Sequence, residues 1–243
     1  MLTEQDKIFS SPLNQIVDFK FDDKVANVFE DMLKRSIPGY STVIGMTGML
    51  ADKYAINNSN LYDLGSSLGA SSLSMRNKLT ADNCRIVAVD NSPAMVKRSK
   101  SFFDIDKSKT PIDLICADIR DVEIKNTSVV VLNYTMQFLP KKDRLPLIQK
   151  IYDGLLPGGI LILSEKVKYH NIEVDSFLVD LYYTFKKLNG YSELEISRKR
   201  EALENVMIPE SIDDNRTRLL SAGFSKCELW FQMFNFVSFL AVK

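Results

Sequence analysis

Along the middle of the chain, short apolar runs of strand rhythm alternate with stretches of helical rhythm. The runs at 61–64 (LYDL), 85–90 (RIVAVD), 112–117 (IDLICA), 128–133 (SVVVLN) and 160–164 (ILILS) predict five strands. SVVVLN is almost wholly apolar, as a strand covered on both faces should be. A Gly/Ser turn and a helix to about Lys78 follow the first strand. After the second, Pro93 sits at a first-turn position, and Ala94, Met95 and Arg98 continue the helix. The helix predicted over 143–155 is closed by Pro157-Gly158-Gly159. Strands and helices alternating at this spacing predict an α/β fold with a mostly parallel, doubly wound sheet.

The two ends break the alternation. Val25, Val28, Phe29, Met32 and Leu33 share one helical face, and a second helix is predicted from about Ser41 to Tyr54, so residues 1–57 read as an N-terminal helical cap. After the fifth strand, Phe177, Leu178, Leu181, Tyr182, Phe185 and Leu188 make an apolar stripe with Lys186 and Lys187 beside it. Asn189-Gly190 breaks that helix and another resumes over 192–205. Residues 167–210 therefore read as a helical insertion, its stripe being core packing, a lid or a subunit interface. Ser211 reads as the N-cap of a helix ending at Ala222-Gly223. The aromatic tail predicts two antiparallel strands joined near Asn235. The whole is expected to be one domain over 1–243.

Composition narrows the function. With 45% hydrophobic residues a full core is available, and 31 Lys+Arg balance 31 Asp+Glu, which excludes a binder that works by bulk positive charge. Cys84, Cys116 and Cys227 lie far apart without a CxxC pair, which argues against a zinc ribbon or a disulfide framework and for a reduced, cytoplasmic setting. One histidine, His170, leaves little for a metal site, and none is expected. The N-terminus has no apolar leader, and no apolar run approaches the roughly 18 residues that span a bilayer.

The candidate chemistry lies at strand ends. Tyr62-Asp63-Leu64-Gly65-Ser66-Ser67-Leu68-Gly69 places small residues between a strand and a helix, where backbone must approach a ligand. Its spacing is G-x-S-x-G rather than the dinucleotide G-x-G-x-x-G, and Asp63 would repel a pyrophosphate while suiting a cationic ligand. Tight packing alone also explains such a turn. Asp90 ends the second strand, where a carboxylate accepts from both hydroxyls of a ribose. Asp118 follows the third, placed to meet an adenine amino group with Ile119 against the ring. Ligands bind outside the carboxyl ends of such strands, so three features there reinforce one another. Asn133-Tyr134-Thr135 ends the fourth strand with polar groups but no evident base or nucleophile. Methyl transfer often needs only positioning.

The parallel sheet closed by a C-terminal antiparallel pair resembles the class I S-adenosylmethionine (SAM)-dependent methyltransferase fold, which is Rossmann-like. A narrower resemblance rests on SIPGY (36–40), YDLG (62–65), VDNSPAM (89–95), ADIRD (117–121), QFL (137–139), NGYSELEIS (189–197) with Lys199-Arg200, ENVM (204–207) and ELWFQ (228–232). Together they are similar to the carboxy-S-adenosyl-L-methionine synthase family, from about Phe9 to the end, with NGYSELEIS the most specific segment. The resemblance implies that SAM and prephenate become carboxy-SAM, phenylpyruvate and water. On this resemblance, decarboxylating prephenate would generate a base that takes a proton from the sulfonium methyl, and the resulting ylide would capture the carbon dioxide. It also implies a homodimer and a link to a tRNA carboxymethyltransferase that modifies a wobble uridine to 5-oxyacetyluridine. No direct contact with nucleic acid or membrane is expected.

Carried over, the resemblance assigns Tyr40, Gly65, Ser66, Ser67, Asp90, Asn91, Asp118, Ile119 and Asn133 to the SAM moiety and Arg200 to the added carboxylate. Family members often carry Cys where Ser66 stands, which leaves backbone contacts intact. Arg198 and Lys199 are expected to project away from Arg200 and to matter little. Two other functions share most of these features. An ordinary SAM-dependent methyltransferase of a small molecule or RNA would need neither Arg200 nor prephenate. A non-catalytic SAM-binding partner in tRNA modification would keep the pocket without turnover.

Overall fold

A computed structural model describes residues 4–10 and 18–243. Of the cap expected over 1–57, residues 1–3 and 11–17 therefore lie outside the described residues. Two helices open the described fold, α1 (Asp23–Ser36) and α2 (Tyr40–Tyr54). The α/β alternation follows: β1 (Asn60–Leu64), α3 (Ala70–Lys78), β2 (Arg85–Asp90), α4 (Pro93–Ile105), β3 (Ile112–Cys116), β4 (Thr127–Asn133), α5 (Lys141–Gly154) and β5 (Leu155–Lys166). Next come α6 (Ile172–Leu188), α7 (Glu193–Glu204), α8 (Ile212–Ser221), β6 (Lys226–Met233) and β7 (Phe236–Val242).

The seven strands form one sheet in the order β3-β2-β1-β4-β5-β7-β6. The first five run parallel, and β7 pairs antiparallel with both β5 and β6. Strand order reverses between β1 and β4. That opens a crevice at their carboxyl ends, where an open α/β sheet binds its ligand.

The central strands are buried because successive side chains face two helical layers. Leu61, Val129, Val131, Ile160 and Ile162 pack with Leu50 and Ala51 of α2 and Met75 of α3. Tyr62, Leu64, Val130, Leu132, Leu161 and Leu163 pack on the other side with Leu147, Ile148 and Ile151 of α5 and Leu219 of α8. The Val25, Val28, Phe29 and Met32 face of α1 meets Met95 of α4. Side chains cap the helices: Asp22 accepts from Val25 N at 3.0 Å, Ser92 from Met95 N at 3.2 Å, and Ser192 and the expected cap Ser211 form capping boxes with Glu195 and Asp214.

One expected boundary is corrected. Pro157-Gly158-Gly159 does not separate helix from strand; it is a bulge inside β5. Leu155 pairs with Thr127 and Ile160 with Val129, leaving the residues between them outside the ladder. Gly158 takes a φ of +77°, a conformation glycine adopts freely. The chain end captures the bulge, with Gly158 N donating to Lys243 O at 3.3 Å and Lys243 N to Gly159 O at 3.0 Å. Among the described residues, no helix is long and apolar enough to cross a membrane.

Candidate functional site

The carboxyl ends of β1, β2 and β4 open into a cavity of about 750 Å3. All ten residues singled out from sequence line it: Tyr40, Gly65, Ser66, Ser67, Asp90, Asn91, Asp118, Ile119, Asn133 and Arg200. Their positions follow from the backbone. Gly65 leaves β1 with a φ of +82°, and a Cβ there would collide with Thr135 across the switch point. Gly65 N and Ser66 N both donate to Val89 O, at 2.8 and 2.9 Å, which ties the turn to β2. Ser67 and Tyr134 hold φ values of +49° and +59°, a region L-residues seldom occupy. Such strain gathers at binding sites.

Asp90 accepts from Ser67 N at 2.8 Å and from Ser92 N at 2.9 Å, one on each oxygen. The carboxylate is thereby aimed, and each oxygen keeps a lone pair for a ligand hydroxyl. Burial raises its pKa, and the two amides oppose that shift. Asp118 is held differently. Arg120 donates to it from the backbone N at 2.9 Å, from Nε at 3.0 Å and from Nη2 at 2.7 Å, and these bonds depress its pKa. Asn133 donates from Nδ2 to Ser71 Oγ at 3.0 Å and accepts from Ser164 Oγ at 2.6 Å, so α3 and β5 orient its amide.

Asp63 does not act as expected. It is buried, does not line the cavity, and accepts from Ser72 N at 2.9 Å and Ser72 Oγ at 2.6 Å. It ties the amino end of α3 to β1, and burial pushes its pKa up to about 6. The expectation for Lys199 is also corrected. Its side chain is buried, lines the same cavity as Arg200, donates to Ser36 Oγ at 2.8 Å and stands 3.7 Å from Asp6. On α7 the two neighbours line one cavity although they stand about 100° apart around the helix. Arg200 itself is exposed at the rim, with no ion pair among the described residues.

Several cavity residues escaped the sequence reading. Lys166 ends β5 and Lys186 lies in the last turn of α6; both line the cavity. Lys186 was visible as a lysine beside an apolar stripe, but which way it faced was not. In the structure the stripe divides: Tyr182 is buried against Phe236, while Phe177 and Leu188 are 62% and 83% exposed. Tyr40, Tyr134, Phe236 and Tyr182 form a chain of ring contacts with centroids 5.1–6.4 Å apart. The buried Arg144 donates to Glu210 Oε2 at 2.6 Å, to Leu139 O at 3.0 Å and to Ile208 O at 2.8 Å. The loop after β4 is thus tied to the end of the helical insertion.

Two buried polar atoms of cavity-lining residues, Ser66 Oγ and Tyr134 OH, have no hydrogen-bond partner. An aimed carboxylate, orphaned donors and an open glycine turn suit a nucleoside joined to a zwitterionic amino acid. Fold and cavity define a SAM-dependent protein of the class I methyltransferase type, and a family model described as a methyltransferase domain matches residues 61–159. The structure resembles human N-acetylserotonin methyltransferase in complex with SAM, with a TM-score of 0.60 at 17% identity, covering 91% of this chain and 55% of that one. It also resembles the cyclopropane synthase MmaA2 from Mycobacterium tuberculosis, with a TM-score of 0.57 at 15% identity, covering 76% and 62%. At such identities the likeness carries the fold alone.

Sequence relatives carry more. The carboxy-S-adenosyl-L-methionine synthase of Vibrio campbellii is 55% identical over 98% of this chain and 97% of its own length. That of Citrifermentans bemidjiense is 54% identical over the full length of both. The chain belongs to the carboxy-S-adenosyl-L-methionine synthase family.

Proposed function

We propose that the protein converts SAM and prephenate to carboxy-SAM, phenylpyruvate and water, and so supplies a carboxymethyl donor for wobble-uridine modification of tRNA by a separate enzyme in the cytoplasm. The observation that carries this reading is one cavity with two unlike kinds of lining: the aimed Asp90 and open glycine turn on one hand, and Arg200 with the lysines of β5, α6 and α7 on the other. An ordinary methyl acceptor gives no reason for the cationic lining.

In this reading Asp90 accepts from the ribose hydroxyls, and Asn91, Asp118 and Ile119 enclose the adenine. Gly65, Ser66 and Ser67 admit the methionine portion at the turn, with Tyr40 and Asn133 beside it. SAM supplies an acidic sulfonium methyl group. The chain's own task is to hold that methyl against the second substrate, exclude water with the Tyr134, Tyr182 and Phe236 wall, and retain the new carboxylate at Arg200. A guanidinium offers two parallel N–H donors matched to a carboxylate. Residues 167–210 act as lid and dimer element, since the exposed Ile172, Phe177 and Leu188 of α6 offer apolar surface to a second copy.

The direct test is incubation with SAM, with and without prephenate, followed by mass analysis. Equal amounts of phenylpyruvate and carboxy-SAM are expected. A methylated product formed without prephenate would establish the ordinary-methyltransferase alternative instead. Light scattering is expected to give the dimer mass at micromolar concentration.

A further inference from the structure

The cationic end of the cavity holds more charge than a single added carboxylate requires. Lys166, Lys186, Lys199 and Arg200 all line it. Asp6 faces Lys199 at 3.7 Å, and Glu30, also on the lining, is held by Lys34 at 2.6 Å. Glu204 lies at the exposed rim. Among the described residues, neither Lys166 Nζ nor Lys186 Nζ has an ion-pair or hydrogen-bond partner. Their contacts are with rings: 4.8 and 5.1 Å to the centroid of Tyr182, and for Lys186 also 5.9 Å to that of Tyr191.

Lys186 is only 3% exposed, so this is not a solvated surface lysine. Buried cations are ordinarily paired, because removal from water costs several kcal/mol that only a counter-charge offsets. Ring faces supply part of that compensation and no more. Burial, then repulsion from Lys199 and Lys166, outweighs attraction to Asp6 and pulls the Lys186 ammonium down to about 7, and burial outweighs attraction to Asp175 in pulling Lys166 down to about 8. Asp6 and Asp175 act on the cluster without pairing Lys166 or Lys186, so it is short of counter-charge until an anion binds. The backbone holds it in place all the same: Lys166 N donates to Gln137 Oε1 at 2.9 Å, and Lys166 pairs with Phe236 across the β5–β7 ladder. An aromatic wall runs from Tyr134, beside the glycine turn, through Phe236 to Tyr182, and so joins this cluster to the SAM end.

We propose that Lys166 and Lys186, both set against the Tyr182 ring, form a distal subsite that takes the second carboxylate of the other substrate, while the ring of that substrate packs along the aromatic wall. The inference deepens the proposed function and rests on it for the identity of that substrate. One carboxylate lies toward Arg200 and the sulfonium. The other is taken by the two lysines, which act as positioning and specificity residues away from the reacting atoms. A ring acid with one carboxylate leaves one end of the cluster unpaired.

The test uses Lys186→Met and Lys166→Met, which keep an apolar stem and remove the charge. Homophthalate serves as an unreactive ring dicarboxylate and phenylacetate as its monocarboxylate control, both titrated into SAM-saturated protein. In each variant the homophthalate Kd and the prephenate KM are expected to rise at least tenfold. The SAM Kd should stay within twofold, which also certifies the fold, and phenylacetate should weaken far less. Lys186→Arg should recover most of the loss. Should Lys186→Met lose SAM binding as well, Lys166→Met decides by the same criteria. An unchanged prephenate KM, or equal losses for mono- and dicarboxylate, overturns the subsite even where carboxy-SAM is still made. Conversely, wild-type protein inert toward prephenate but binding homophthalate in a lysine-dependent way refutes the proposed reaction and leaves the subsite standing. Wild-type protein that neither turns over prephenate nor binds homophthalate overturns both.

Discussion

The glycine-turn end of the cavity and its lysine end are built on different principles. At the first, ligand-facing groups come from residues within a few positions of strand ends, and backbone amides aim them: Asp90 is fixed by Ser67 N and Ser92 N. At the second, the groups come from β5, α6 and α7, and long side chains reach inward from separate elements. The first end carries its acceptors in hydrogen-bonded form whether or not a ligand is present. The second collects like charges whose compensation is left to what binds there. Recognition of a common nucleoside calls for rigidity. Selection of an anionic partner is served by an unmet electrostatic demand.

That contrast can be broken most severely at Gly65. A side chain there adopts a strained φ, costing about 1–3 kcal/mol, and collides with Thr135. Gly65→Val should therefore lose on the order of 100-fold in SAM affinity, and calorimetry showing near-normal binding would refute the close approach. Asp90→Ala removes an acceptor shared by two amides and two expected hydroxyls. The loss is about 2–3 kcal/mol, the range for hydrogen bonds to a charged group, and it should fall on SAM and carboxy-SAM alike.

Arg200→Ala should separate the two ligands. A buried charged pair broken on one side costs roughly 2–5 kcal/mol, and the exposure of Arg200 places the effect near the lower bound, roughly 30-fold. It should appear for carboxy-SAM and scarcely for SAM, with Arg200→Lys between. Equal losses would mean a structural role. Lys199→Ala, which the sequence alone placed near wild type, should instead destabilise the protein by about 1–3 kcal/mol in denaturant unfolding, because Asp6 is left buried without its cation.

The smallest effect is a pH dependence with opposite signs for folding and binding. Folded Lys186 holds its proton only to about 7, Lys166 and Lys199 only to about 8, against 10.5 for an ordinary lysine; burial is the first cause in each. Between those values the unfolded chain binds more protons, so raising the pH through this window stabilises the fold. Dicarboxylate affinity should fall over the same window as the ammonium groups facing Tyr182, Tyr191, Asp6 and Asp175 are lost. SAM affinity, which depends on Asp90, should stay level. Parallel titrations of both ligands between pH 6.5 and pH 9, about the span of the three shifted lysines, check it.

Local periodicity determined most of the scaffold in advance. Strands β1 to β5, the first-turn Pro93, the N-cap Ser211 and the residues at the strand ends were legible because each depends on neighbours in the chain. The parallel order then brings strand ends together almost regardless of detail, so Gly65, Asp90, Asp118 and Asn133 could be named as a set. Tertiary structure alone decided three things. It turned Asp63 away from the cavity onto Ser72, it absorbed Pro157-Gly158-Gly159 into β5 by pairing with Lys243, and it made Lys166, Lys186 and Lys199 cavity residues rather than solvated ones. In each case the deciding partner is distant in sequence or supplied by another packed element. A helical pattern reports which residues share a face; only the packing of β5, α6 and α7 around one cavity reports which faces enclose charge.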